Sequence, residues 1–145
     1  MNKLKCFFQA VSQPKCASTG LLLLRVVVGA AFILHGWGKI QNPFGWMPPD
    51  SPVPGFFQFL AALSEFGGGI AWILGALMPL ASLGIGFTML VAASLHAFVL
   101  KDPFVSKGGG SYELALVYFC IAVLFIFLGP GKFSVDAKVF GERSS

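Results

Sequence analysis

Residues 56–77 read FFQFLAALSEFGGGIAWILGAL, an apolar run whose only charge is Glu65 near its centre. At about 1.5 Å per residue such a helix crosses the roughly 30 Å hydrocarbon core of a bilayer. A carboxylate at that depth costs several kcal/mol on insertion scales, so it requires a partner, a proton or a task. Three other stretches share the character: Ser18–Gly38, Leu80–Leu100 and Ser111–Leu128. None alternates as a barrel strand would, so the expected fold is all-α, a four-transmembrane-helix bundle.

Composition leads the same way. Apolar residues make up 56% of the chain and charged residues 11%. A soluble domain of this length could not hide so much apolar surface, whereas lipid as solvent removes the conflict. Residues 1–17 read as a cytoplasmic N-terminal segment, 18–128 as the transmembrane domain and 129–145 as a cytoplasmic tail with a short interfacial segment. Met78 and Pro79 are expected at a tight corner between the second and third spans. Phe44 and Trp46, in the proline-rich loop after the first span, suit a headgroup-level belt. In the tail, Ser134 is a candidate N-cap with Asp136 in the first turn. Phe133, Val139 and Phe140 there would dip into the interface, with Lys132, Lys138 and Arg143 on the headgroups.

Four spans put both termini on one side. That side holds Lys3, Lys5, Lys15, Lys132, Lys138 and Arg143, and the other holds Lys39, Lys101 and Lys107. The excess places both termini in the cytoplasm of a multi-pass inner-membrane protein. The net charge of +4 reads as topology and anionic-lipid contact rather than nucleic-acid binding. Cys6, Cys16 and Cys120 form no CxxC pair and no metal-ligand spacing, although Cys6 and Cys16 could act as a redox pair.

Helical spacing orients the polar residues. Arg25, Gly29, Phe32, Gly36 and Lys39 form one stripe with His35 beside it; Ser82, Gly86, Met89, Ala93 and His96 form another; Ala61, Glu65, Gly68 and Trp72 share a third face. Small residues let membrane helices approach closely, so these faces should point inward. His35, Lys39, Glu65, His96 and Glu113 would then gather at the end of the bundle away from the termini, with Arg25 apart near the inner start of span one. Glu65 could pair with His35 or His96. Imidazoles and carboxylates together pass protons. Glu65 and His96 are the candidate catalytic pair, and His35, Lys39, Glu113 and Arg25 the candidate ligand-binding residues. A purely structural role for these pairs competes with that reading, as does snorkelling of Arg25 and Lys39 to headgroups. A metal site is not expected, since no HxxxH or HxxE lies on one helix. No covalent cofactor pattern is visible. A flat quinone ring with two carbonyl acceptors would suit such donors, walled by Trp37, Phe57 and Tyr112.

Read in order, several of these pieces resemble the DoxX family of small bacterial membrane proteins. They are Leu23-Leu24-Arg25-Val26, His35-Gly36-Trp37-Gly38-Lys39, Glu65-Phe66-Gly67-Gly68, His96, Tyr112-Glu113 and Gly129-Pro130-Gly131-Lys132-Phe133-Ser134-Val135-Asp136. The resemblance implies a four-helix inner-membrane protein. It is also similar to the membrane subunit of thiosulfate:quinone oxidoreductase, which implies a quinone-interacting or redox-stress-related subunit acting with a protein partner or as a homo-oligomer. Two other readings stay open: a small-molecule or proton-coupled transporter, and a membrane scaffold for a partner protein.

Overall fold

The computed structural model describes residues 7–143. Lys3, Lys5 and Cys6 therefore lie outside the described residues. Four long helices follow in order: α1 (Lys15–Gln41), α2 (Gly55–Leu74), α3 (Met78–Ser94) and α4 (Glu113–Leu128). A single π-helical turn, Leu95–Val99, extends α3, and a short helix α5 (Val135–Phe140) closes the chain. Two-residue strands β1 (Ala10–Val11) and β2 (Glu142–Arg143) pair in parallel, which brings the first and last described segments together. The helices α1, α2 and α3 with its π-turn are each long and apolar enough to cross a membrane, and α4 is a shorter apolar helix.

The stripes form the packing faces. Arg25, Gly29, Phe32 and Gly36 of α1, Glu65, Gly68 and Trp72 of α2, and Ser82, Gly86, Met89 and Ala93 of α3 are all buried. Helices α1 and α2 approach almost backbone to backbone. A Cβ added to Gly29 would lie 2.7 Å from the Gly69 carbonyl oxygen, and one added to Gly69 would lie 2.7 Å from that of Gly29. An aromatic column fills the centre: Phe32 meets Trp72 edge-on at 5.4 Å and Tyr118 at 4.8 Å, and Trp72 meets Phe125 at 4.9 Å. The buried indole N–H of Trp72 donates to Ser82 Oγ at 3.0 Å, which satisfies its one polar atom.

The second corner falls earlier than the sequence suggests. It lies at Gly75–Leu77 rather than at Met78 and Pro79, because Gly75 adopts a left-handed conformation (φ 64°) that ends α2. Pro79 instead sits in the first turn of α3, where its missing N–H is no loss. Leu77 is itself left-handed (φ 49°), and Asp136 holds it there: Oδ1 accepts from Leu77 N and Oδ2 from Met78 N, both at 2.8 Å.

The tail is thus docked on the end of the bundle. Ser134 caps α5 as expected, accepting from Ala137 N at 3.1 Å, but Asp136 is turned inward and is 1% exposed. Phe133 and Val139 face outward, while Phe140 stacks on Phe8 at 5.4 Å.

Candidate functional site

A cavity of about 220 Å³ opens at the end of the bundle opposite the chain termini. It takes Phe32, His35 and Lys39 from α1, Glu65 from α2, Met89, Ala92 and His96 from α3 and its π-turn, and Ser111, Leu114, Ala115 and Tyr118 from the approach to α4 and α4 itself. Glu65 and His96, on separate helices, face one space, and His35 and Lys39 join them.

The pairing differs from the expectation of a carboxylate–imidazole couple. Lys39 Nζ lies 2.6 Å from both Oε1 and Oε2 of Glu65, whose side chain is 3% exposed. The cation meets the buried charge, which explains how the carboxylate is tolerated at mid-span. His96 pairs instead with Asp102: Nδ1 is 2.7 Å from Oδ2, and Asp102 N donates to His96 O at 2.9 Å. The π-turn creates this second couple. Its wider ring, closed by Leu100 N donating to Leu95 O, is followed by a left-handed Lys101 (φ 59°) that folds Asp102 back over His96. A side chain at Gly110 would collide with the Asp102 carboxylate, so the later loop also closes on this couple.

Two expected members lie elsewhere. Glu113 faces a different groove with Phe104, Leu116 and Val117, because Ser111, Leu114, Ala115 and Tyr118 hold the inward positions at helical spacing. Arg25 stands at the opposite end, about 21 Å from Lys39 along α1 at ~1.5 Å per residue. It is fully buried and does not snorkel. Its Nε donates to Trp72 O (2.8 Å), Nη1 to Pro130 O (2.5 Å), and Nη2 to Ile73 O and Phe133 O (both 3.0 Å). Beside it, burial raises the Asp136 carboxyl above the ordinary range, opposed by the N–H groups of Met78 and Leu77 and by the Arg25 charge.

The walls also differ from expectation. Phe32 and Tyr118 supply the aromatic surface, while Trp37 is largely exposed beside Phe66, Phe57 lines another cavity and Tyr112 packs on Phe104. Trp46 is drawn in from the supposed belt. Lys39 Nζ sits 4.5 Å from its ring centre, and its indole N–H donates to Gln58 O at 3.0 Å. Gln58 is the organiser of this loop: its Oε1 accepts from Met47 N at 3.1 Å and its Nε2 donates to Val53 O at 2.9 Å. Asp102, Tyr118 and Gln58 do not stand out in the sequence as site residues, and Trp46 stands out there only as a belt residue. Gln58 alone leaves a signal there, an amide within an apolar run, seven residues before Glu65 on the same helical face.

Among the described residues no three His, Cys, Asp or Glu side chains gather as a metal ion would require. The chemical capacity is that of two proton-bearing couples, Lys39–Glu65 and His96–Asp102, flanking a small space with aromatic walls.

A family model described as DoxX matches residues 20–99. The inner membrane protein YqjF of Escherichia coli (strain K12) is 33% identical, covering 84% of this chain and 93% of its own length. An uncharacterized protein of Haemophilus influenzae is 32% identical over 83% of this chain and 90% of its own. A Bacillus subtilis (strain 168) protein named "Putative oxidoreductase CatD" is 28% identical over 82% of this chain and 91% of its own. No solved structure matches significantly.

Proposed function

The chain belongs to the DoxX family of bacterial inner-membrane proteins, and from that premise we propose that its polar cavity binds the ring of a quinone-type molecule, the chain acting as a membrane subunit beside an electron-donating protein. The observation that carries the reading is the convergence of His35, Lys39, Glu65 and His96 with Phe32 and Tyr118 on one space. A quinone offers two carbonyl acceptors on a flat ring, and the cavity offers cationic and imidazole donors beside aromatic faces. A relative named as an oxidoreductase supports the same direction.

Each residue then has a task. Lys39, held by Glu65 and by the Trp46 ring, donates to one carbonyl and its charge favours the oxygen as electron density grows there. His96, oriented through Nδ1 by Asp102, serves the other carbonyl through its remaining ring nitrogen. Conversion of quinone to quinol takes two electrons and two protons. The partner supplies the electrons, and the two couples supply the protons. His35, exposed at the cavity, positions the ring on entry. With both termini cytoplasmic, as the lysine and arginine distribution favours, the cavity faces the periplasmic leaflet. A carrier working by alternating access would have to open the end sealed by Arg25, which disfavours the transport reading.

The test is quinone binding by the purified protein in wild-type, Glu65→Gln and His96→Ala forms. Loss of about tenfold or more in each variant is expected, the scale of one lost charge-assisted hydrogen bond. Equal affinity in all three would remove the cavity from the function.

A further inference from the structure

At about 220 Å³ the polar cavity is smaller than the ~300–1,000 Å³ of ordinary small-molecule sites. It suits a ring and is small for a ring together with a long hydrocarbon chain. A second cavity of about 510 Å³ lies along the α2–α3 seam, lined by Pro52, Phe57, Leu60, Phe87, Val91 and other largely apolar groups. Ala92 lines both cavities. Deeper in the bundle the seam is shut, since a Cβ on Gly68 would meet Ile85 at 2.9 Å and one on Gly84 would meet Ser64 at 2.9 Å. Toward the outer end, the groove is lined by Ala61 on α2 and Ala92 on α3, whose side chains are single methyl groups. One residue also ties the outer walls of both spaces: the Gln58 side chain donates to the carbonyl of Val53, which lines the apolar groove, and the Gln58 backbone carbonyl accepts from the indole N–H of Trp46, which covers Lys39.

We propose that the apolar groove is the tail subsite of the polar cavity, taking the hydrocarbon chain of the same amphipathic molecule, which passes between α2 and α3 beside Ala92. The proposal rests on the ring-binding reading above. Bilayer lipid is as apolar as the groove, so transfer out of the membrane contributes little; the groove adds a fixed path that presents the ring to Lys39 and His96. The ligand is therefore tailed, and it enters sideways from the lipid.

The experiment uses the full chain in lipid nanodiscs and two probes, a dimethoxy-methyl-benzoquinone without a tail and the same ring carrying a decyl chain. Ala61→Phe narrows the groove from within and Leu60→Trp from its exposed wall; Glu65→Gln alters the polar cavity alone. The groove variants are expected to weaken the tailed probe by about tenfold, the scale of an overpacked contact, and to leave the tail-less probe within about twofold. Unchanged binding of both probes in both groove variants would overturn the proposal and leave a bilayer lipid as the groove's occupant. Equal losses for both probes in both variants would overturn it too. If Glu65→Gln weakens the tail-less probe while the groove variants spare the tailed one, the ring site stands and the tail subsite falls.

Discussion

At the end of the bundle that gathers both termini, Arg25 gives its guanidinium to four backbone carbonyls from two distant parts of the chain. At the other end, Lys39 gives its ammonium to a single carboxylate and lies beside an open space. Both cations sit on one face of α1, and the sequence treats them alike. Their acceptors separate them. Buried backbone carbonyls, here two in the last turn of α2 and two in the segment after α4, are obligatory acceptors that the fold must satisfy, so Arg25 is spent on architecture. A side-chain carboxylate is an optional partner, so the Lys39–Glu65 couple can be rearranged when a ligand arrives.

The sharpest way to break this contrast is at Arg25. Arg25→Met takes the guanidinium from four carbonyls, of which Trp72 O keeps the Gly75 N–H, and is expected to lose about 4 kcal/mol, seen as failed accumulation or a collapsed unfolding midpoint in detergent. Arg25→Lys should recover little of this, because an ammonium cannot reproduce the planar fork. Retention of stability in Arg25→Met would erase the distinction between the two ends.

The complementary test is a double-mutant cycle at the other end. Lys39→Met strands the Glu65 charge and should cost about 3 kcal/mol, while the pair Lys39→Met with Glu65→Gln should recover most of it without restoring quinone binding. Stability and binding that recover together would place this couple in the same structural class as Arg25.

Smaller effects refine the picture. Asp102→Asn should change stability by about 1 kcal/mol or less, since the couple is partly exposed. It should nevertheless shift the pH profile of ring binding by freeing the His96 tautomer; an unmoved profile would count against Asp102 as a positioning residue. The shallowest effect concerns Asp136. Its carboxyl is raised in the folded state, so the folded chain holds that proton more tightly than the unfolded one. Its contribution therefore declines as pH climbs from the unfolded value, about 3.9, through the raised folded value, and is flat above it. Asp136→Asn should remove that slope in urea titrations over acidic pH.

Periodicity made the helices, their inward faces and the grouping of His35, Lys39, Glu65 and His96 legible, because each is set by spacing within one element. Whatever depends on how a loop returns was not legible. Asp102 reaches His96 only through a π-turn and a left-handed Lys101, and no glycine or proline inside Leu95–Val99 announces the turn. Trp46 looked like a belt residue, since nothing nearby in sequence says that Gln58 will pull the loop inward. Arg25 and Asp136 were visible as charges, but their partners lie far along the chain. Glu113 was misplaced for a simpler reason, a helical phase set by Ser111, Leu114, Ala115 and Tyr118 rather than by polarity.

The reach of the Arg25 side chain also has a consequence for biosynthesis. Two of its four acceptors, Pro130 and Phe133, follow the last long helix. As the polypeptide leaves the ribosome, the first helix enters the lipid ahead of all four acceptors; the second helix brings two of them, and the other two arrive only with the final segment. The nascent chain must shelter that charge until the final segment emerges and locks it, so a message cut short after Leu128 would yield an assembly that never latches.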